Sequence, residues 1–360
     1  MAPMRVLTTH ERFRRILDHQ EADRVPFWDF PWPGTLARWH TEGLPHGVGF
    51  VDFFDLDKVA RIEVDSSPRY PERVIEETDQ YRIYTTKWGA IQKDFKQADS
   101  TPEFLDYTVT TPDKWQEAKQ RMVPAEDRIP WDYLQQHYRR WRDEGYWIDA
   151  KLFFGFDSAH AMTVGFETFL TAMIQEPQWC VDMFNHYLDV SIALQDRVWD
   201  AGYTFDSVTW TDDLAYKNGL FFSLDMYRTL LKPVQQRAVR WAHDKGVKVR
   251  CHTDGNITAL VPDLIDLGID MLHPLEVKVG VNALEIKRTY GPQLTIHGAL
   301  DARLWSDVDA IEAEIQRLVP TLKQSGGYIF ASDHSIPNNV SFQNMKAIVE
   351  FAKKYGSYES

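Results

Sequence analysis

Five times between Phe205 and His334 an apolar run of strand length stops on histidines or carboxylates and gives way to a helical pattern. Val247-Lys-Val-Arg-Cys-His-Thr-Asp-Gly255 is the clearest case: a buried strand ends on His252 and Asp254, Gly255 supplies a turn, and helical spacing runs from Ile257 to Leu267. Phe205 to Asp213 ends in the same way on Asp212 and Asp213, Ile269 to Glu276 on His273 and Glu276, Gln293 to Gly298 on His297, and Gly327 to His334 on Asp333 and His334. Helical patterns at Ser223 to Lys245, Asn282 to Tyr290, Asp307 to Gln324 and Ser341 to Tyr355 lie between and after them. Parallel strands need a crossover, which a helix usually supplies. The alternation therefore predicts a parallel sheet with its polar strand ends gathered on one face.

Read from the start, Thr8 to His19 has the form of a capped helix, with Phe13, Ile16 and Leu17 on one side. Asp23 to Phe30 follows as a first strand, stopped by Pro31-Trp-Pro-Gly34, which leaves Trp28 and Asp29 near its carboxyl end. A second strand is placed at Ala60 to Val64 or in the alternating region around Gly89, which reads as a β-hairpin over about residues 78–96. Pro112 to Gly145 reads as a charged helical layer, and Tyr146 to Gly155 as a third strand carrying Phe154 to its end. About eight strands, most followed by a helix, in 360 residues predict a (β/α)8 TIM barrel. It has an N-terminal helical extension over residues 1–24 and the hairpin as an insertion. No repeat or low-complexity linker divides the chain, so residues 1–360 are read as one domain. An open doubly wound sheet is disfavoured, because no glycine-rich phosphate loop follows the first strand.

A net charge of -13 argues against nucleic-acid or anionic-membrane partners, which call for clustered Lys and Arg. Two cysteines, Cys180 and Cys251, give no disulfide framework, which fits a reducing, cytoplasmic setting. Met1 to His10 has no apolar run of signal length, and no stretch is apolar enough to span a bilayer. The 13 Trp and 20 Phe read first as bulky core and second as the walls of an apolar pocket.

In a barrel the carboxyl ends of the strands build the active site. The residues so placed, Asp212, Asp213, His252, Asp254, His273, Glu276, His297, Asp333 and His334, are all nitrogen and oxygen donors. Such a set suits Zn or another divalent ion with a position left open for substrate. His252 and Asp254, two apart around a strand end, could both reach one ion. The same groups would equally make a metal-free acid/base site. Adjacent residues diverge, so of Asp212 and Asp213 one faces the site, with Asp213 preferred. Tyr216 lies in a loop that would cover it, and the catalytic set expected is Asp213, Asp212 and Tyr216. Trp28, Asp29, Trp210, Phe154 and His334 are the substrate-binding residues expected.

Thr9-His-Glu-Arg-Phe-Arg-Arg-Ile-Leu17, Asp23-Arg-Val-Pro-Phe27, the Asp212-Asp213 loop, His252-Thr-Asp-Gly255, His297-Gly-Ala-Leu-Asp301 and the Gly326 to Pro337 segment together resemble the uroporphyrinogen decarboxylase superfamily, over nearly the whole chain. The resemblance implies a (β/α)8 barrel. It also implies one of two chemistries, cofactor-free decarboxylation or zinc-dependent methyl transfer with a corrinoid carried on a partner protein. The decarboxylase's arginine-rich substrate loop, similar to Arg-Gln-Ala-Gly-Arg, is replaced here by Trp28-Asp-Phe-Pro-Trp-Pro-Gly34. Thiol-activating methyltransferases of the superfamily use a His-x-Cys pair and a later cysteine as zinc ligands, whereas this chain has His252-x-Asp254 and Asp333. Demethylase-like members, with Glu and His among their ligands, are more similar, and the metal ligands the resemblance implies are His252, Asp254, Glu276, His297 and Asp333. Harder ligands leave a more Lewis-acidic ion, suited to polarising an ether or hydroxyl oxygen.

The expected function is therefore a metal-dependent methyltransferase or O-demethylase. It would move a methyl group between a small aromatic or methoxylated substrate and a corrinoid on a separate protein, since this chain has no Asp-x-His-x-x-Gly signature of its own. The alternatives are a metal-free decarboxylase or lyase, with Asp213 stabilising a protonated intermediate and His297 or Tyr216 assisting, and a non-catalytic binding barrel. The resemblance and the aromatic surface candidates make a homodimer plausible.

Overall fold

A computed structural model describes residues 6–96 and 101–358. Its centre is a seven-stranded parallel sheet built from β1 (Val59–Ile62), β6 (Trp147–Lys151), β7 (Ser207–Thr211), β10 (Lys248–His252), β11 (Met271–His273), β12 (Thr295–Leu300) and β13 (Tyr328–Ser332). Each strand pairs with the next in this order, so the sheet grows in one direction only, whereas a doubly wound sheet reverses at a switch point. Its far edge also turns back towards its start. Phe27 bridges Phe330 of β13 in parallel, while the Phe27 N–H donates to Asp57 Oδ2 at 2.8 Å, two residues before β1. The sheet is thus curled, in a TIM-like α/β arrangement.

The first strand is where expectation and structure differ. Asp23 to Phe30 was to be a full strand, yet it contributes single bridges, and no ladder joins it to β1 among the described residues. Pro26 has no N–H to give, and the Phe27 N–H is taken by a side chain, so the run cannot pair on both sides. The insertion is larger than a hairpin. The four strands β2 (Arg73–Glu77), β3 (Tyr81–Thr85), β4 (Ala90–Phe95) and β5 (Glu103–Tyr107) form an antiparallel sheet, and part of the link between the last two lies outside the described residues. The outer strand β2 is exposed along its length, so no buried face imposed the alternation that would have announced it. A short ribbon, β8 (Ala215–Tyr216) with β9 (Gly219–Leu220), follows the end of β7.

Thr9–Leu17 is a helix capped reciprocally, Thr8 Oγ1 accepting from the Glu11 N–H at 3.2 Å and Glu11 Oε2 from the Thr8 N–H at 2.9 Å. It buries Phe13, Ile16 and Leu17 against Trp28, Trp147, Met271 and Ile329, which closes the amino end of the sheet's concave side. Burial of three such side chains stabilises by roughly 5–8 kcal/mol. The extension's first residues, Met1 to Arg5, lie outside the described part. Helices Val261–Leu267, Ala283–Tyr290, Val308–Leu322 and Phe342–Gly356 fall where the spacing predicts, with Asn282, Asp307 and Ser341 as side-chain caps for the last three. No described helix is long and apolar enough to cross a membrane.

Strand periodicity sorts the side chains into two sets. Ala60, Ile62, Ile148, Ala150, Val208, Trp210, Val249, Cys251, Leu272 and Ile296 join the large outer core between sheet and helices. The alternate residues, Arg61, Asp149, Lys151, Ser207, Thr209, Thr211, Arg250, His252, His273 and His297, are polar and face the concave interior. Residues register across neighbouring strands as Arg61 with Asp149, Lys151 with Thr209, and His252 with both Thr211 and His273. This polar interior opens at the carboxyl ends. A separate cleft of about 340 Å³, lined by His10, Arg142, Asp206 and Lys248 among others, lies at the opposite, amino ends, where barrel enzymes do not place their chemistry.

Candidate metal centre

The centre forms where β10 stops. His252 is the last residue of the strand, and the chain then turns through Thr253 to Gly255. Thr253 fixes the turn, its N–H donating to the His273 carbonyl at 2.9 Å and its Oγ1 accepting from the Leu214 N–H at 3.1 Å. Gly255 has a φ of 86°, and a Cβ there would lie 2.4 Å from the Ala215 carbonyl. Only glycine allows this approach. It brings the loop after β7 beside the loop after β10, and with it Asp213, whose Oδ1 accepts from the Asp254 N–H at 3.3 Å.

Asp213, His252 and Asp254 each offer one ligand atom, all within 4.8 Å of one another. His252 Nε2 is 3.6 Å from Asp213 Oδ1 and 3.7 Å from Asp254 Oδ1. These are too long for hydrogen bonds and suited to three ligands around an ion about 2.0–2.2 Å from each. Asp254 Oδ1 is buried and has no hydrogen-bond partner among the described residues. Burial, then the charges of Asp213 and Glu276, push Asp254 up to about 8, against the pull of Lys278. Asp213 is raised by burial and by Glu276, while burial, then Arg250 and Lys151, hold His252 well below its ordinary value. A cation at that point would bring the two raised acids back down, and a histidine held neutral has the lone pair a ligand needs, so the residues fit a divalent metal. The donor set is hard, two oxygens and a nitrogen.

The other nitrogen of His252 is also committed. Nδ1 lies 2.7 Å from His273 Nδ1, so one of the two rings carries the proton between them. If His252 Nδ1–H donates, the lone pair of Nε2 faces the two carboxylates, which is the tautomer a ligand needs. The three rings His252, His273 and His297 follow one another at centroid distances of 4.9 and 4.5 Å, and Trp28 stacks on the last at 4.8 Å.

Several expected roles are corrected by these positions. His297 stands two strands from His252, roughly 10 Å along the sheet. Its Nε2 donates to the Trp28 carbonyl at 2.7 Å, so it is not among the converging ligands. Asp333 is fully buried, accepting from the Ala302 N–H at 2.9 Å and the Lys278 N–H at 3.3 Å, and braces two loops instead of ligating. Glu276 borders the centre, yet its oxygens are already used by the Gly255 N–H at 2.6 Å and Lys278 Nζ at 2.7 Å. Asp212, expected as a catalytic carboxylate, points away and accepts from the Phe156 and Asp157 N–H groups and from Gln235 Nε2.

Trp210 and Phe154 are wholly buried against each other on the helix side of the sheet, so neither lines the mouth. Trp28 is inside but packed, beneath Arg250 at 4.3 Å. Asp29 is buried, accepts from the Ser332 and Phe30 N–H groups, and is pushed up to about 7 by that burial; it joins the first segment to β13. Tyr216 is on the β8 ribbon with its ring exposed and stacked on Phe221. His334 does reach the centre's edge, Nε2 lying 3.8 Å from Asp254 Oδ2 and the ring stacking on Trp32.

Three residues absent from the expected site stand at it. His273 was visible as a strand-end histidine but was given no role. Asp157, pushed up to about 7 by burial and by Asp213, lies past the end of β6. Lys151, lowered to about 8 by burial and by Arg61, was hidden as a strand residue with no polar neighbour in sequence to mark it.

The sequence profile described as uroporphyrinogen decarboxylase (URO-D) matches residues 156–355, more than half of the chain and all of the strand ends that form the triad. The chain belongs to the uroporphyrinogen decarboxylase family. No match to a curated protein was found. Among solved structures, a methyltransferase from Methanosarcina mazei is similar at a TM-score of 0.65 and 16% identity, over 97% of this chain and 99% of that one. At that identity the likeness is one of fold, and it covers this family member nearly end to end.

Proposed function

We propose that this member of the family is a metal-dependent methyltransferase or O-demethylase, with Asp213, His252 and Asp254 as protein ligands of a divalent ion such as zinc. The observation that carries the reading is the convergence of Asp213 Oδ1 and Asp254 Oδ1 on His252 Nε2, with Asp254 Oδ1 buried and without a hydrogen-bond donor. The structural likeness to a methyltransferase supports it. When bound, such an ion polarises a substrate oxygen so that a methyl group can leave, and a corrinoid on a separate protein is the methyl acceptor.

The chain's own residues set the conditions. Gly255 holds the two carboxylate loops together, His273 fixes the tautomer of His252, and Glu276 neutralises Lys278 beside the centre. Metal analysis of protein purified without chelator, wild type beside His252→Ala, tests this. About one equivalent of a divalent metal in wild type and its loss in the variant are expected. A wild-type protein that carries no stoichiometric metal, and that added zinc leaves unchanged, sinks the proposal.

The family's own description favours a second reading, metal-free decarboxylation with Asp213 opposite a cationic intermediate. It differs in one outcome, CO2 release that survives chelation.

A further inference from the structure

We infer that the mouth takes a small aromatic carboxylate, held by Arg61 and Lys151 with its reacting oxygen towards the triad. This rests on the reading of the mouth as a substrate site. It adds what the triad cannot supply, the charge and shape of what binds.

The interior is divided by charge. Asp213, Asp254 and Glu276 gather at the ends of β7, β10 and β11, while the concave positions of β1 and β6 place Arg61 and Lys151 on the other side. Both cations have donors to spare. Lys151 Nζ donates to Thr211 Oγ1 at 2.6 Å, and no other hydrogen bond or carboxylate within 4 Å is found for it among the described residues. Two of its three N–H groups are therefore free. The Arg61 guanidinium has no hydrogen bond among the described residues. Its nearest acids, Glu63 Oε1 at 3.7 Å and Asp149 Oδ2 at 3.8 Å, are ion-pair neighbours only. A guanidinium carries five N–H donors, and a planar fork of that kind matches a carboxylate. Arg61 is about one-third exposed, so solvent and solutes reach it.

The pair is built in and not a surface accident. Lys151 is buried enough, and near enough to Arg61, to be held down at about 8. Two cations kept close, one of them buried, repel each other unless an anion joins them. Arg250 raises the cations here to three and Asp149 and Asp157 offset two of them, so one positive charge is left over, which favours a carboxylate over a phosphate dianion. Buried atoms without a hydrogen-bond partner, Asp149 Oδ2 and Arg250 Nε, mark the same part of the interior as unfinished by protein groups.

Aromatic rings flank both cations. Arg61 lies over Phe30 at 5.6 Å and Lys151 over Phe153 at 5.6 Å, and Phe30 is exposed. Lys151 Nζ leans towards the triad, since Thr211 is the register partner of His252, whereas Arg61 on β1 is three strands from β10, roughly 14 Å along the sheet before the side chains reach inward. That separation accommodates one benzene ring with a carboxylate at one end and an ether or hydroxyl oxygen at the other.

Calorimetric titration with matched pairs, benzoate against benzyl alcohol and 4-methoxybenzoate against 4-methoxybenzyl alcohol, tests the assignment on the full chain. Wild type is expected to bind the carboxylate of at least one pair tenfold or more tightly than its alcohol, and Arg61→Gln and Lys151→Met are each expected to reduce that preference at least fivefold. Lys151→Met removes a buried charge at similar length and is expected to fold. Arg61→Gln, at a partly exposed position, is the second probe, and thermal melts verify both. The absence of a carboxylate preference in wild type, or a preference kept in both folded variants, overturns the inference, as does tighter binding of phenyl phosphate than of benzoate. Zinc content measured on the same samples separates the two claims. A carboxylate preference in a protein that binds no zinc leaves this inference standing and removes the metal reading, and a zinc-bound protein indifferent to carboxylates does the reverse.

Discussion

A carboxylate oxygen buried without a donor, as Asp254 Oδ1 is, costs the fold a desolvation that only a proton or a cation offsets. Asp254→Asn keeps the shape and removes the ionisable group. The metal-free variant is expected to melt at or above the wild-type temperature while zinc affinity, measured by competition with a chelating dye, falls at least tenfold. Gly255→Ala tests the turn that brings the two loops together. Its Cβ would meet the Ala215 carbonyl at 2.4 Å at a φ of 86°, so a loss of about 1–3 kcal/mol in denaturant unfolding and a weaker zinc site are expected together. At this scale the sequence named His252 and Asp254 as ligands and Asp213 as a catalytic carboxylate, preferred over Asp212 but kept in one set with it. Their roles diverge because Gln235 and two backbone N–H groups claim Asp212 from the helix side, partners that only the folded chain supplies.

The secondary elements divide by how much of their pattern is local. The helix Thr9–Leu17 is legible because its cap, its first-turn Glu11 and its buried face all lie within ten residues. Thr8→Ala is expected to cost about 1 kcal/mol and Ile16→Ala about 2–5 kcal/mol, both read from urea midpoints. The first strand was legible only as an extended run. What holds it is Asp57, which accepts from Arg12 Nη1, Arg24 Nη1 and the Phe27 N–H, each a contact over 30 residues or more. Asp57→Ala leaves the partly buried Arg24 without its carboxylate and the buried Arg12 with Asp23 alone, and is expected to destabilise by about 3 kcal/mol. The four-stranded insertion was underread for the opposite reason, since its outer strand has little buried face to shape its sequence.

Across the molecule, Asp65 ties the end of β1 to the inserted sheet. Burial raises its carboxyl, but hydrogen bonds from Ser67 and Arg69 and the charge of Lys87 prevail and bring it down to about 2 from an ordinary 3.8. A depressed acid contributes stability that is fully present above pH 3.8 and is lost as the pH falls towards 2, so the sign is acid-labile. Asp65→Asn is expected to remove about 2 kcal/mol at pH 7 and nothing measurable below pH 2, seen as acid unfolding curves that converge.

By itself the sequence determined the alternation of strand and helix, the parallel sheet that follows from it, and the gathering of histidines and carboxylates at the strand ends. These rest on periodicity and on short-range capping, which are properties of neighbours along the chain. Tertiary structure alone decided which of these groups meet. The run Ser207-Val-Thr-Trp-Thr211 alternates, but alternation alone does not say which set meets the helices, so the sequence does not reveal that Trp210 faces them while Thr209 and Thr211 face the interior. Nor does it reveal strand order, which sets His297 two strands from His252, or register, which sets Arg61 opposite Asp149 and Lys151 opposite Thr209. Register depends on contacts between strands tens of residues apart, and no local pattern records them.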